Sequence, residues 1–160
     1  MANNEFVKNK ILKTFGQDAY TGDTINIKYL SETIFSNEEN VQKINSIVHP
    51  PTTKKVEILS QELFKTHNIV FVESALIFEA KIHKAFDFII LVCSDEQLRI
   101  NRTMERDNVT EESVKRKMSF QIPDDKKKDR VHFIIENNST IEDLTKRLAL
   151  ILTILESYAK

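Results

Sequence analysis

The apolar positions change their period once along the chain, and that change divides it. Up to about His67 they recur at helical spacing. Val7, Ile11, Leu12 and Phe15 share one face of a helix predicted over Glu5 to Phe15, with Gly16 placed just past its end. Gly22-Asp23 marks a turn within Tyr20 to Thr24. Ile27, Leu30, Ile34 and Phe35 predict a second short helix, and Ser36-Asn37 supplies a cap for a third that presents Val41, Ile44 and Val48. His49-Pro50-Pro51 ends that helix in this reading, because a proline disfavours the helical conformation in its predecessor. Val56, Leu59 and Leu63 predict a fourth helix from Thr53 to about Thr66.

From Asn68 the pattern becomes short, uninterrupted apolar runs. Ile69 to Val72 reads as a strand covered on both faces, as in a parallel sheet. Glu73 then stands just past its carboxyl edge, where open α/β folds place their ligands; a plain polar turn after a strand is the alternative. Ala75 to Ala85 is a short connection with a helical piece. Phe86 to Val92 gives a second strand, whose crossover connection implies parallel pairing with the first. Ser94 to Gln97 has the form of a capping box, so a helix starts near Asp95; it carries Arg99, Arg102 and Arg106 and breaks at Asp107-Asn108. Thr110 caps a further helix through Gln121, stopped by Pro123, which makes a helical hairpin with basic sides. Val131 to Ile135 is the third strand. Thr140 caps the last helix, whose Ile141, Leu144, Leu148, Ile151 and Leu155 pack along the sheet. The class is α/β with a parallel sheet.

Composition narrows the chemistry. A chain of 160 residues suits one domain. With 23 Lys+Arg against 24 Asp+Glu, no global field favours nucleic acid or an anionic membrane. No apolar run approaches the roughly 18 residues that cross a bilayer, and the polar start has no signal-peptide core, so the expected location is cytoplasmic. Cys93 is the sole cysteine, which excludes an internal disulfide and fits a small apolar filler better than a reactive thiol. Gly16 and Gly22 are the only glycines, so no stretch resembles a backbone phosphate cradle.

Arg102 and Arg106 lie one helical turn apart, so their guanidinium groups are able to converge on polyphosphate oxygens; a solvated face paired with Glu105 and Glu111 is the competing reading. Lys115-Arg116-Lys117 and Lys126-Lys127-Lys128 alternate with acids and read as solvated faces. His49, His67, His83 and His132 show no metal-ligand spacing, and no metal site is expected. Covalent catalysis has no support, since there is no nucleophile elbow and no cysteine with an evident base.

Four segments, in this order, resemble the dephospho-coenzyme A kinase family. Ile44-Asn45-Ser46-Ile47-Val48-His49-Pro50 is similar to its Leu-x-x-Ile-x-His-Pro signature. Glu73 to Glu79 is similar to acidic-x-Pro-Leu-Leu-Phe-Glu, with Ala75 in place of the proline. Arg102-x-x-x-Arg106-Asp107, then Arg116 and Gln121, resembles the family lid. Val131 to Asn137 resembles Ala-Asp-x-x-Ile-x-Asn, with His132 in place of the aspartate. The resemblance covers essentially the whole chain.

The resemblance implies a P-loop NTPase-like three-layer fold: a helical substrate-binding region over residues 1–67, then a sheet core over 68–160 with a helical lid at about 95–129. It implies transfer of the ATP γ-phosphoryl group to the ribose 3′-hydroxyl of dephospho-coenzyme A, with Mg²⁺ as the companion of ATP. Arg102 and Arg106 would take the catalytic and ATP-phosphate roles, Asn137 the adenine side, and His49, Pro50, Glu73, Phe78 and Glu79 the substrate side. Family members begin with a strand and a Gly-rich P-loop that these residues lack, so Met1 reads as an internal methionine and the sequence as a fragment, a misplaced start or a decayed relative. The expected consequence is an isolated chain with little or no turnover; a non-catalytic nucleotide-binding or partner-binding relative is the alternative. In the family the first strand lies between those equivalent to Ile69–Val72 and Phe86–Val92. Without it three outcomes are expected: direct pairing of these two, a strand from another chain with self-association through the open edges, or poor stability.

Overall fold

The computed structural model describes residues 4–159. The reading of Met1 as an internal methionine falls outside that range. The chain divides into two compact units, one up to Gln61 and one from Glu62.

The first unit follows its helical periodicity. Helix α1 (Glu5–Phe15) is capped by Asn4, whose side chain accepts from the Val7 amide at 3.1 Å. Gly16 ends it at φ 93°, outside the range comfortable for an L side chain. The expected turn is the tip of a two-stranded hairpin, β1 (Tyr20–Thr21) and β2 (Thr24–Ile25), closed through Gly22 at φ 61°. Helix α2 (Ile27–Ile34) is tied back when Tyr29 Oη donates to the Phe15 carbonyl at 2.7 Å. Val7, Ile11, Phe15, Ala19, Tyr20, Leu30, Ile34, Ile44 and Ile47 form one contiguous buried core.

The expected break at His49-Pro50 does not occur. Helix α3 runs continuously from Glu38 to Leu63 with both prolines inside, merging two predicted helices. Proline removes amide donors to the preceding turn but leaves the remaining helical bonds intact. Asn37 caps the helix as expected, its side chain accepting from the Asn40 amide at 2.9 Å.

In the second unit, strand β3 (Ile90–Cys93) pairs in parallel with β4 (Phe133–Glu136), from Ile90↔Phe133 to Cys93↔Glu136. Helix α7 (Ile141–Tyr158), capped by Thr140, packs Ile151 and Leu155 against Ile135, with Ile69, Phe88, Ile90, Phe133 and Leu144 around them. The predicted strand Ile69–Val72 is not one: residues 69–73 make no backbone–backbone hydrogen bond among the described residues. Ile69 joins the apolar cluster, yet Phe71 is 57% exposed. Direct pairing with β3 is therefore not adopted, and among the described residues β4 is β3's one strand neighbour. A strand conformation needs a ladder partner, and this apolar run has none among the described residues.

The second strand also begins later than Phe86, after a 3₁₀ turn at His83–Ala85. Ahead of it the Ile89 amide donates to the His132 ring Nδ1 at 3.0 Å, while the His132 amide donates to the Ile89 carbonyl at 2.9 Å. A ring nitrogen thus stands where a ladder carbonyl would be. Helices α4 (Glu96–Asp107) and α5 (Glu111–Met118) form the predicted hairpin, with Asn108 at φ 50° between them and Thr110 capping α5. The expected Ser94 capping box is replaced by Asp95 as N-cap without a side-chain capping bond. The lysine run 126–128 belongs to a short helix, α6 (Asp125–Lys128), and is not wholly solvated: Lys127 is buried.

Candidate active site

The carboxyl ends of β3 and β4 are clasped together. The Asn137 amide donates to the Cys93 carbonyl at 2.7 Å, extending the ladder one step. Next to it, the Asp95 amide donates to Asn138 Oδ1 at 2.9 Å and Asn138 Nδ2 donates to Asp95 Oδ1 at 3.1 Å. That exchange occupies the Asp95 side chain, which is why it does not cap α4.

Onto this edge α4 delivers Arg102, whose Nη1 donates to the Asn137 carbonyl at 2.8 Å. Two of the residues singled out from the sequence are thereby brought together. Arg106, one turn further, is exposed and held by its neighbour: Nε and Nη2 donate to the two Asp107 oxygens at 2.7 and 3.0 Å. This bond raises the already high Arg106 pKa and holds the Asp107 carboxyl below the usual range. Arg116 is engaged by Glu112 on its own helix at 3.0 Å.

Beside the clasp lies a cleft of about 700 Å³ floored by Cys93, Ser94, Glu136 and Asn138 and walled by α4, α5 and residues 121–125. Its lining carries the carboxylates of Asp95, Glu96, Asp124, Asp125 and Glu136 against the cations Arg99, Lys115 and Lys128, and neither Arg102 nor Arg106 belongs to it. Arg99 donates to Asp124 at 2.6 Å across the cleft wall. Carboxylates therefore outnumber cations in this lining, so as arranged the cleft presents more negative than positive charge. Burial, aided by Asp124, pushes the Cys93 thiol up, which suits the inert filler read from the sequence.

The substrate-side candidates separate by environment. Glu73 is exposed, in the stretch without backbone hydrogen bonds. Phe78 is buried, stacked on His83 with centroids 5.4 Å apart and covered by the Arg130 guanidinium at 4.5 Å. Glu79 turns inward, accepting from the Ile122 amide at 3.0 Å and facing Lys127 at 3.3 Å. His49 and Pro50 lie within α3 in the first unit. No group of three metal-ligating side chains occurs among the described residues. A kinase Mg²⁺ is held largely by nucleotide phosphates and one or two carboxylates, so the residues here suit it only as a companion of ATP.

Sequence reasoning missed three contributors: the His132 ring, Lys127 and the Asn138 clasp. His132 had one signal, its place at a family aspartate, since a ring nitrogen keeps the acceptor that the carboxylate would provide.

Known proteins resemble this chain in sequence and in fold. A protein from Fusobacterium nucleatum named dephospho-CoA kinase is 32% identical over 143 residues, spanning 89% of this chain and 73% of that one. The crystal structure of a Thermus thermophilus protein superposes with a TM-score of 0.68 at 27% identity, over 92% of this chain and 76% of that one. The dephospho-CoA kinase of Campylobacter jejuni shares the fold, with a TM-score of 0.64 at 23% identity, over 99% of this chain and 83% of that one. The dephospho-CoA kinase family model matches residues 1–143, and the chain belongs to that family of ATP-using transferases of coenzyme A synthesis.

Proposed function

We propose that Arg102, Arg106 and Asn137 form the ATP side of the kinase site, and that His49, Pro50, Glu73, Phe78 and Glu79 serve the dephospho-coenzyme A side. The contact that carries this reading is Arg102 on the Asn137 carbonyl at 2.8 Å, which sets a guanidinium at the carboxyl edge of the sheet. Parallel α/β sheets bind ligands at that edge, and a planar guanidinium matches phosphate oxygens in two-bond geometry. Arg106 is held in reserve by Asp107 and would exchange that carboxylate for phosphate oxygens when nucleotide arrives. In the transfer step its charge offsets that building up on the phosphoryl oxygens. Mg²⁺ bound with the nucleotide would supply further positive charge in this step. Such a reaction belongs in the cytoplasm, with ATP and dephospho-coenzyme A as small-molecule partners.

The residues described contain no backbone cradle for phosphate, because both glycines belong to the first unit, at a helix end and a hairpin tip. That observation favours a second reading, nucleotide binding without turnover by these 160 residues. The open edge of β3 also makes self-association through strand pairing an expected property. Titration of the chain with Mg²⁺-ATP, beside Arg102→Ala, tests the nucleotide side: the first reading requires binding that the substitution weakens by about tenfold. Equal binding by both proteins would remove Arg102 from the site. A phosphoryl-transfer assay of the chain, alone and joined to a Gly-rich loop, separates the two readings. In the joined protein Arg106→Ala should lower kcat by about 10²-fold or more.

A further inference from the structure

The hairpin α4–α5 returns to the body through residues 119–123, and what fixes that return is a buried carboxylate 43 residues earlier in the chain. Glu79 Oε1 accepts from the Ile122 amide at 3.0 Å and also faces Lys127 Nζ at 3.3 Å. Both side chains are about nine-tenths buried, at 10% and 9% exposure. Glu79 Oε2 is buried with no hydrogen-bond partner. A second contact runs alongside: the Arg130 guanidinium covers the Phe78 ring at 4.5 Å, and His83 stacks on the same ring.

A buried ion pair recovers its desolvation cost poorly, and one with an unsatisfied oxygen does so worse, so stability alone explains it badly. Uniqueness of geometry explains it better, since Oε1 meets both partners only when the chain at Ile122 is held against the segment bearing Glu79. The other root of the hairpin is already clasped through Asp95 and Asn138. Between the two roots lies Asn108, in the left-handed conformation. We propose that Glu79 and Lys127 are positioning residues that fix the return root of the hairpin, so that α4 and its arginines are held in place from two anchored roots. This rests on reading the hairpin as a lid, but its test needs neither nucleotide nor turnover.

The double variant Glu79→Gln/Lys127→Met removes the charge pair while keeping an oxygen for the Ile122 amide. Glu79→Asp keeps the charge and draws it back by one methylene. Amide hydrogen exchange of the full chain, read by peptide, is compared with the thermal midpoint. The expected result for both variants is exchange over 111–122 faster by about tenfold or more, with β3, β4 and α7 unchanged and the midpoint within about 3 °C. Unchanged exchange over 111–122 would overturn the proposal. So would a loss spread evenly over the second unit, or failure of both variants to fold, since each marks a merely structural pair. Because the readout is independent of ATP, failure here leaves the assignment of Arg102 standing, and failure of that assignment leaves this result intact.

Discussion

The two units of the chain reach their folds by different routes. In the first, nine residues from α1 to α3 bury each other in one continuous core, and its only strands among the described residues form a hairpin of two residues a side. In the second, the cluster under the sheet has three buried members, Ile135, Ile151 and Leu155, while Val92 remains 55% exposed and Ile69–Val72 has no ladder. A helix satisfies its backbone within its own segment, so a helical unit closes with whatever residues it holds. A strand satisfies its backbone only through a neighbour, so a sheet is as complete as its list of strands. The contrast therefore tracks hydrogen-bond accounting more than hydrophobic content.

The largest test of that contrast is a cavity. Ile11 is wholly buried, and Ile11→Ala should cost about 2–5 kcal/mol in the first unit, measured by urea unfolding with exchange read by unit. A loss shared equally by β3 and β4 would show that the units do not behave separately. The prolines of α3 provide a change of opposite sign. Pro51→Ala restores a donor for the Ile47 carbonyl and should stabilise the helix by about 1–3 kcal/mol. No gain in thermal midpoint would mean that the bonds lost at Pro51 are made good elsewhere.

In the second unit His132 sharpens the view of a side chain completing a sheet. His132→Ala leaves the Ile89 amide without its acceptor and should cost about 1 kcal/mol, whereas His132→Asp, restoring the family residue, should cost less. Equal losses would show that the ring contributes by its edge-on packing on Phe88 and not by its nitrogen. The smallest effect is expected at Lys81. The Ile82 amide donates to the Ile77 carbonyl and the Lys81 amide to that of Phe78, a helix-ending pair of bonds that puts Lys81 at φ 59°. Lys81→Gly relieves that conformation and should be neutral to stabilising, by less than about 1 kcal/mol, because glycine also loosens the unfolded chain. Destabilisation would point to a contact of the lysine that its exposure does not suggest.

What the sequence determined by itself is what depends on near neighbours. Helices Glu5–Phe15 and Ile27–Ile34, the caps at Asn37, Thr110 and Thr140, the turn at Gly22 and the break at Asn108 all follow from residues within a few positions of one another. Family membership was legible for a related reason, since short signatures such as Val48-His49-Pro50 keep their order whatever surrounds them. The continuation of α3 through two prolines, the absent ladder at Ile69–Val72 and the burial of Lys127 were decided in three dimensions. So was the pairing of Arg102 with Asn137, which are 35 residues apart. An apolar run states that it will be buried, but a backbone amide finds its acceptor, and a carboxylate its counter-ion, only where the folded chain brings one within about 3 Å.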